Sequence, residues 1–127
     1  MAMKKILLLD DNLDIVQIVE EVLSYEHFEV KSLSTATGFL SAALAYHPDL
    51  IILDFRLDGA NGGVLCQDIR KDPRLQQTPI IIFSAYTEPG MDFKEFGCDA
   101  FIAKPFDLEQ LVGTVKGLTD SQYPSLA

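Results

Sequence analysis

The chain has 127 residues, the length of one domain able to bury a core without disulfide or metal staples. Its 48% hydrophobic and 23% charged residues exclude a disordered polypeptide. Nineteen Asp and Glu against ten Lys and Arg leave a formal net charge of −9, which disfavours a general nucleic-acid binder and a protein docked on an anionic membrane surface.

Residues 6–9 form a continuous apolar run and predict a strand buried on both faces, ending at Asp10-Asp11-Asn12, residue types that cap helices. Ile15, Ile18, Val19, Val22 and Leu23 then recur at helical spacing and predict a helix over 13–25. Residues 28–33 alternate apolar and polar, as an edge or half-buried strand does. A second helix is expected over 35–46, carrying Phe39, Leu40, Ala43 and Leu44 and closed by His47-Pro48. Residues 50–53 predict another buried strand, ending at Asp54. With three Gly and one Asn, 59–63 is expected as loop, followed by a third helix over 64–71 that carries Leu65 and Ile69. Residues 80–83 predict a buried strand ending at Ser84. Pro89-Gly90 breaks the next stretch and leaves a short helix over 91–96. A fifth strand over 100–103 ends at Lys104-Pro105, and Asp107 is placed to cap a last helix carrying Leu108, Leu111, Val112 and Val115.

Five strands alternating with five helical patterns predict a three-layer α/β sandwich around a parallel sheet. One domain is expected over 1–127, with a core at 4–118 and a polar tail at 119–127. Cys66 and Cys98 form no CxxC pair, and with His27 and His47 they make no zinc set, so both are expected as buried thiols. No apolar run is long enough for a bilayer, and the short run after Lys4-Lys5 is no signal peptide, so a cytoplasmic protein is expected.

Open α/β sheets bind ligands beyond the carboxyl ends of their strands. There this sequence sets Asp10, Asp11, Asp54, Ser84 and Lys104. Carboxylates gathered in one crevice need a cation or a shifted pKa, and an all-oxygen donor set suits Mg²⁺. A carboxylate beside Mg²⁺ can itself accept a phosphoryl group, whose oxygens Lys104 and Ser84 would share with the metal.

The chain resembles the CheY-like receiver domains of two-component response regulators over residues 4–116. The likeness is carried by LLLDDN at 7–12, PDLIILD at 48–54, Gly62, SA at 84–85 and FIAKPF at 101–106. It implies the flavodoxin-like strand order 2-1-3-4-5 with five helices. It further implies that Asp54 is the phosphoacceptor, and that Asp10, Asp11, Asp54 and the Arg56 backbone carbonyl hold Mg²⁺. Lys104 would pair with the phosphoryl group, Ser84 and Phe101 would act as the switch, and Ala85 would leave room beside Ser84. The Lys104-Pro105 bond is cis in this family. The implied phosphodonor is a histidine kinase or histidine phosphotransfer protein. The implied output partner is an unidentified protein engaged through the face of the fourth helix, fifth strand and fifth helix. Direct contact with nucleic acid or membrane is not expected, and the chain would be a monomer or a phosphorylation-dependent dimer. Such a domain takes part in its own phosphorylation and dephosphorylation but turns over no external substrate. No DNA-binding module fits after the last helix, so the chain either acts alone through protein contacts or is cut from a longer protein.

Taken singly, each residue has a plainer reading: the Asp10 to Asn12 carboxyls and amide as helix caps, Asp54 as a loop opener, Lys104 as solvated, Phe101 as core. Their joint placement at successive strand ends overrides these. A phosphatase of the haloacid-dehalogenase type needs two Asp separated by one residue after the first strand, whereas Asp10 and Asp11 are adjacent. A flavin carrier needs a Ser-, Thr- and Gly-rich first loop, whereas this one is acidic. Against the family pattern, Asp58 replaces a common Pro, Arg56 and Tyr86 stand at rate-tuning positions, and the stretch with Phe93 and Phe96 predicts a short or displaced fourth helix.

Overall fold

Three runs of Ile and Leu make the centre of a five-stranded parallel sheet: β1 (Lys5–Leu9), β3 (Leu50–Asp54) and β4 (Ile80–Ser84). The computed structural model describes residues 3–57, 60–85 and 93–120, with backbone only at 60 and 93. Flanked by β2 (Glu29–Leu33) and β5 (Ala100–Ala103), the strands follow the order β2-β1-β3-β4-β5, all parallel. The apolar runs are continuous because helices cover both faces. From β1, Ile6 and Leu8 point to the layer of α1 (Leu13–Tyr25) and α4 (Leu108–Asp120), where they meet Val16, Val19, Leu23, Leu111 and Val115. Leu7 and Leu9 point the other way, to Phe39 and Ala43 of α2 (Phe39–Tyr46) and Cys66 and Ile69 of α3 (Gly62–Arg70). Each fully buried Leu or Ile contributes about 2 kcal/mol, so this double-sided burial is what holds the strands in register.

The expected strands, sheet order and last helix all form, and Asp107 caps α4 by accepting from the Glu109 N–H at 2.7 Å. The differences lie at helix ends. α1 buries Val16, Val19 and Leu23, whereas Ile18 is 43% exposed. α2 begins at Phe39 rather than 35, because Gly38 takes a left-handed conformation (φ +75°) that interrupts the helical path. The expected loop before α3 contains structure: Arg56–Leu57 pairs antiparallel with Ala60–Asn61, and the helix starts at Gly62. Asn61 makes this early start by accepting from the Gly63 and Val64 N–H groups at 2.7 and 3.2 Å. In sequence, Asp58-Gly59 between the two short strands is a hairpin dipeptide, and it was the signal for this ladder.

Where a short fourth helix was expected, Phe93–Phe96 makes one 3-10 turn that ends at Gly97 (φ +87°). Residues 86–92, including Tyr86 and the first part of that helix, lie outside the described residues, as does Asp58. The described residues therefore hold four α-helices and this turn, not five helices. α4 runs past the expected core limit at 118, and Thr119 is buried with its Oγ1 donating to the Val115 carbonyl at 2.8 Å. Cys66 and Cys98 are thiols; Cys66 is buried and Cys98 half-buried. Burial pushes the Cys66 thiol up to about 12, which suits a core residue rather than a nucleophile.

Candidate functional site

Parallel strands end side by side, so the residues that follow them converge whatever their distance in sequence. Asp10 follows β1, Asp54 and Ser84 close β3 and β4, and Lys104 follows β5. The capping role at α1 falls to Asn12, whose Oδ1 accepts from the Asp14 and Ile15 N–H groups at 2.9 and 3.2 Å. Asp10 is instead turned inward: it is wholly buried, and its Oδ1 accepts from the Asn12 N–H at 2.9 Å. Asp54 is 7% exposed, Ser84 is buried and Asp11 is exposed.

One carboxylate oxygen from each of Asp10, Asp11 and Asp54 lies within 4.8 Å of the others. Lys104 Nζ is 2.9 Å from Asp10 Oδ2 and 3.4 Å from Asp54 Oδ1. The amine is held there by its own backbone, since the Lys104 N–H donates to the Ser84 carbonyl at 2.8 Å and ties the ends of β4 and β5. The Lys104-Pro105 bond is cis, and Phe106 beyond it stacks on Phe83 with centroids 4.9 Å apart.

Among the described residues, the Lys104 amine is shared between Asp10 and Asp54 in a largely buried crevice. The effect falls on Asp54, whose carboxyl is raised to about 6, first by burial and then by the Asp10 charge; Lys104 and a hydrogen bond from the Arg56 backbone oppose the rise. Several hard oxygen donors drawn together from three carboxylates, one of them open to solvent, fit a divalent cation of the Mg²⁺ kind.

Phe101 is half-buried against the α2 and α3 layer, in register with Ile82 of β4. Gly62, part of the sequence pattern but without an expected role, packs directly on the end of β3. A Cβ there would strike the Asp54 carbonyl oxygen, and the Gly62 N–H donates to the Phe55 carbonyl at 2.8 Å. Phe96 is half-buried, its ring 5.6 Å from that of Phe55.

A parallel sheet of order 2-1-3-4-5 with an acidic crevice and a lysine at its carboxyl end defines a flavodoxin-like α/β fold. The family model described as response regulator receiver domain matches residues 6–116, and the chain belongs to that family. It is a receiver domain of two-component response regulators, homologous to the phosphorylatable receivers of histidine kinase systems. The response regulator ArlR of Staphylococcus aureus is 34% identical over 125 residues, covering 94% of this chain and 54% of ArlR. The chain thus spans about half the length of the curated relatives it matches. The chemotaxis protein CheY4 of Vibrio cholerae is 28% identical with a TM-score of 0.84, over 92% of this chain and 99% of that one. The receiver domain of sensor histidine kinase PA1611 from Pseudomonas aeruginosa shares the fold at 23% identity and a TM-score of 0.84, over 94% of this chain and 99% of that one; its structure has a magnesium ion coordinated in the active site cleft. Among the described residues no helix is long and apolar enough to cross a membrane.

Proposed function

We propose that the chain is a phosphorylation-dependent switch in which Asp54 takes a phosphoryl group from a phosphohistidine of a kinase or phosphotransfer protein. The observation that carries this reading is the joining of Asp10, Asp11 and Asp54 within 4.8 Å, with the Lys104 amine set against two of them. An Asp54 carboxylate oxygen attacks phosphorus, the O–P bond forms, the N–P bond to the donor imidazole breaks, and the leaving nitrogen takes a proton. Asp10, Asp11, Asp54 and the Arg56 carbonyl would hold Mg²⁺, as the magnesium in the cleft of the PA1611 receiver supports. Bound there, the cation supplies positive charge to the phosphoryl oxygens and offsets the repulsion between carboxylates. Lys104, already 3.4 Å from Asp54, pairs with the phosphoryl group, and Ser84 offers its hydroxyl. Ser84 and Phe101 then bias the β5 side of the molecule toward or away from an output protein.

On this reading the domain releases its phosphate by hydrolysis and turns over no external substrate. Cytoplasmic placement fits two cysteines kept as thiols. The test is direct. Incubated with Mg²⁺ and a small acyl-phosphate donor, the wild type gains the mass of one phosphoryl group, and Asp54→Asn gains none. An equal gain in Asp54→Asn, or none in the wild type, overturns the assignment; release of inorganic phosphate from added monoesters would point to a phosphatase instead.

A further inference from the structure

α3 is mounted on the phosphoacceptor strand with no clearance. At its first residue, Gly62 packs against the Asp54 carbonyl and bonds the Phe55 carbonyl. Along the same helix Gly63, Gln67 and Arg70 fall at i, i+4 and i+7, one face of an α-helix. Each of the three holds the 93–99 segment. The Phe96 ring covers Gly63 so closely that a Cβ there would come within 2.7 Å of it. Gln67 Nε2 donates to the Glu95 carbonyl at 3.4 Å, and Arg70 Nε to the Gly97 carbonyl at 2.8 Å. Arg70 also pairs with Asp99, the residue before β5. The loop closes on itself, because Phe96 touches Phe55, the 6% exposed residue directly after Asp54.

We propose that α3 carries the phosphorylation state of Asp54 to the 93–99 segment, and from there into β5, through Phe55, the Gly62-Gly63 turn and Phe96. This route is separate from Ser84 and Phe101, and it rests on the reading of Asp54 as phosphoacceptor. A phosphoryl group adds bulk and charge to a side chain that is 7% exposed. Where a backbone is packed without voids, displacement is passed on rather than absorbed. Here the two glycines remove the slack: Gly62 brings α3 onto the Asp54 carbonyl, and Gly63 brings Phe96 onto α3.

Hydrogen exchange of the peptide covering residues 93–99 reads the route without a reporter, since the Gly97 and Asp99 N–H groups are bonded there to the Lys94 and Ile80 carbonyls. Each sample is first weighed, so that exchange is compared at equal phosphorylation. Phosphorylation from an acyl-phosphate donor with Mg²⁺ should alter exchange in this peptide by about threefold or more in the wild type. The change should persist in Ser84→Ala and shrink to less than half in Phe55→Leu. Phe96→Leu, which opens the same contact from its half-buried side, should behave as Phe55→Leu does and stands in for it if that variant fails to fold. An unchanged peptide in fully phosphorylated wild type overturns the proposal, as does a change that vanishes in Ser84→Ala and survives in both Phe variants. Absence of any mass gain would instead strike the phosphoacceptor reading, and this proposal with it.

Discussion

Arg70 and Lys104 are both largely buried cations at opposite ends of the strands, 21% and 13% exposed, and they are matched in opposite ways. At the amino ends of β4 and β5, Arg70 pairs with one carboxylate, Asp99, and donates to the carbonyls of Gly97, Gln76 and Thr78 at 2.8, 3.1 and 2.6 Å. Asp99 in turn accepts from the Ile80 N–H at 2.8 Å. One positive charge meets one negative charge, and a planar fork of donors meets carbonyls from two loops, so the cluster fixes structure. At the carboxyl ends, a single lysine faces Asp10 and Asp54 with Asp11 beside them, and the Asp54 carboxyl is raised to about 6. Burial of charge is common to both ends. At the carboxyl ends one amine is shared by two buried carboxylates, and on the proposed reading that sharing readies the site for a cation and a phosphoryl group.

Four measurements press on that contrast. The largest effect is expected at the matched end: Arg70→Ala should cost about 3 kcal/mol in urea unfolding, because it removes the donor to the Gly97, Gln76 and Thr78 carbonyls together. A loss under half of that would mean the cluster is decorative. At the unmatched end, Mg²⁺ at a hundredfold excess over its dissociation constant should stabilise the fold by about 2.7 kcal/mol. That gain should vanish in Asp54→Ala and remain in Asp99→Asn; the reverse pattern would exchange the roles of the two ends.

Acid dependence comes next. Burial and the Asp10 charge raise the Asp54 pKa from its ordinary 3.8 to about 6, so the fold favours the protonated form. Without metal, stability should therefore be greatest at low pH and fall by about 2 kcal/mol between about pH 4.5 and 7.5, a slope that Asp54→Asn flattens. Stability that rises over that window on account of Asp54 would mean Lys104 overcompensates the carboxylates. The smallest effect lies in neither cluster: His47 closes α2 in the left-handed region (φ +57°), and His47→Gly should stabilise by about 1 kcal/mol in thermal unfolding. Failure of that control would mean that background substitutions are not additive enough for the larger comparisons to be trusted.

Much of this was legible beforehand, for identifiable reasons. Strands buried on both faces advertise themselves as unbroken runs such as residues 50–53 and 80–83, and the polar residue that ends each run falls at the crevice by the geometry of a parallel sheet. Asp10, Asp54, Ser84 and Lys104 could be picked out because each ends or follows a strand. Helix ends were less legible. Gly38 delays the start of α2 only because it adopts a positive φ, and Asn61 starts α3 two residues early only because its side chain finds the Gly63 and Val64 amides. The short helix expected over 91–96 is a single 3-10 turn at 93–96 among the described residues, and its anchors, Gly63 and Arg70, come from another helix, where chain order does not reveal them.

The sequence by itself determined the layer architecture, the strand ends and the chemical inventory of the crevice, since hydrophobic period and chain order suffice for these. Only the tertiary structure decided which charges are balanced. Arg70 and Lys104 look alike as letters in a chain of net charge −9, and their difference lies in partners supplied by segments 29 and 94 residues away. The same is true of Gly62, whose missing side chain matters only because α3 lands on the Asp54 carbonyl. Electrostatic matching and close approach depend on distances in space, and chain order carries those only after the sheet has formed.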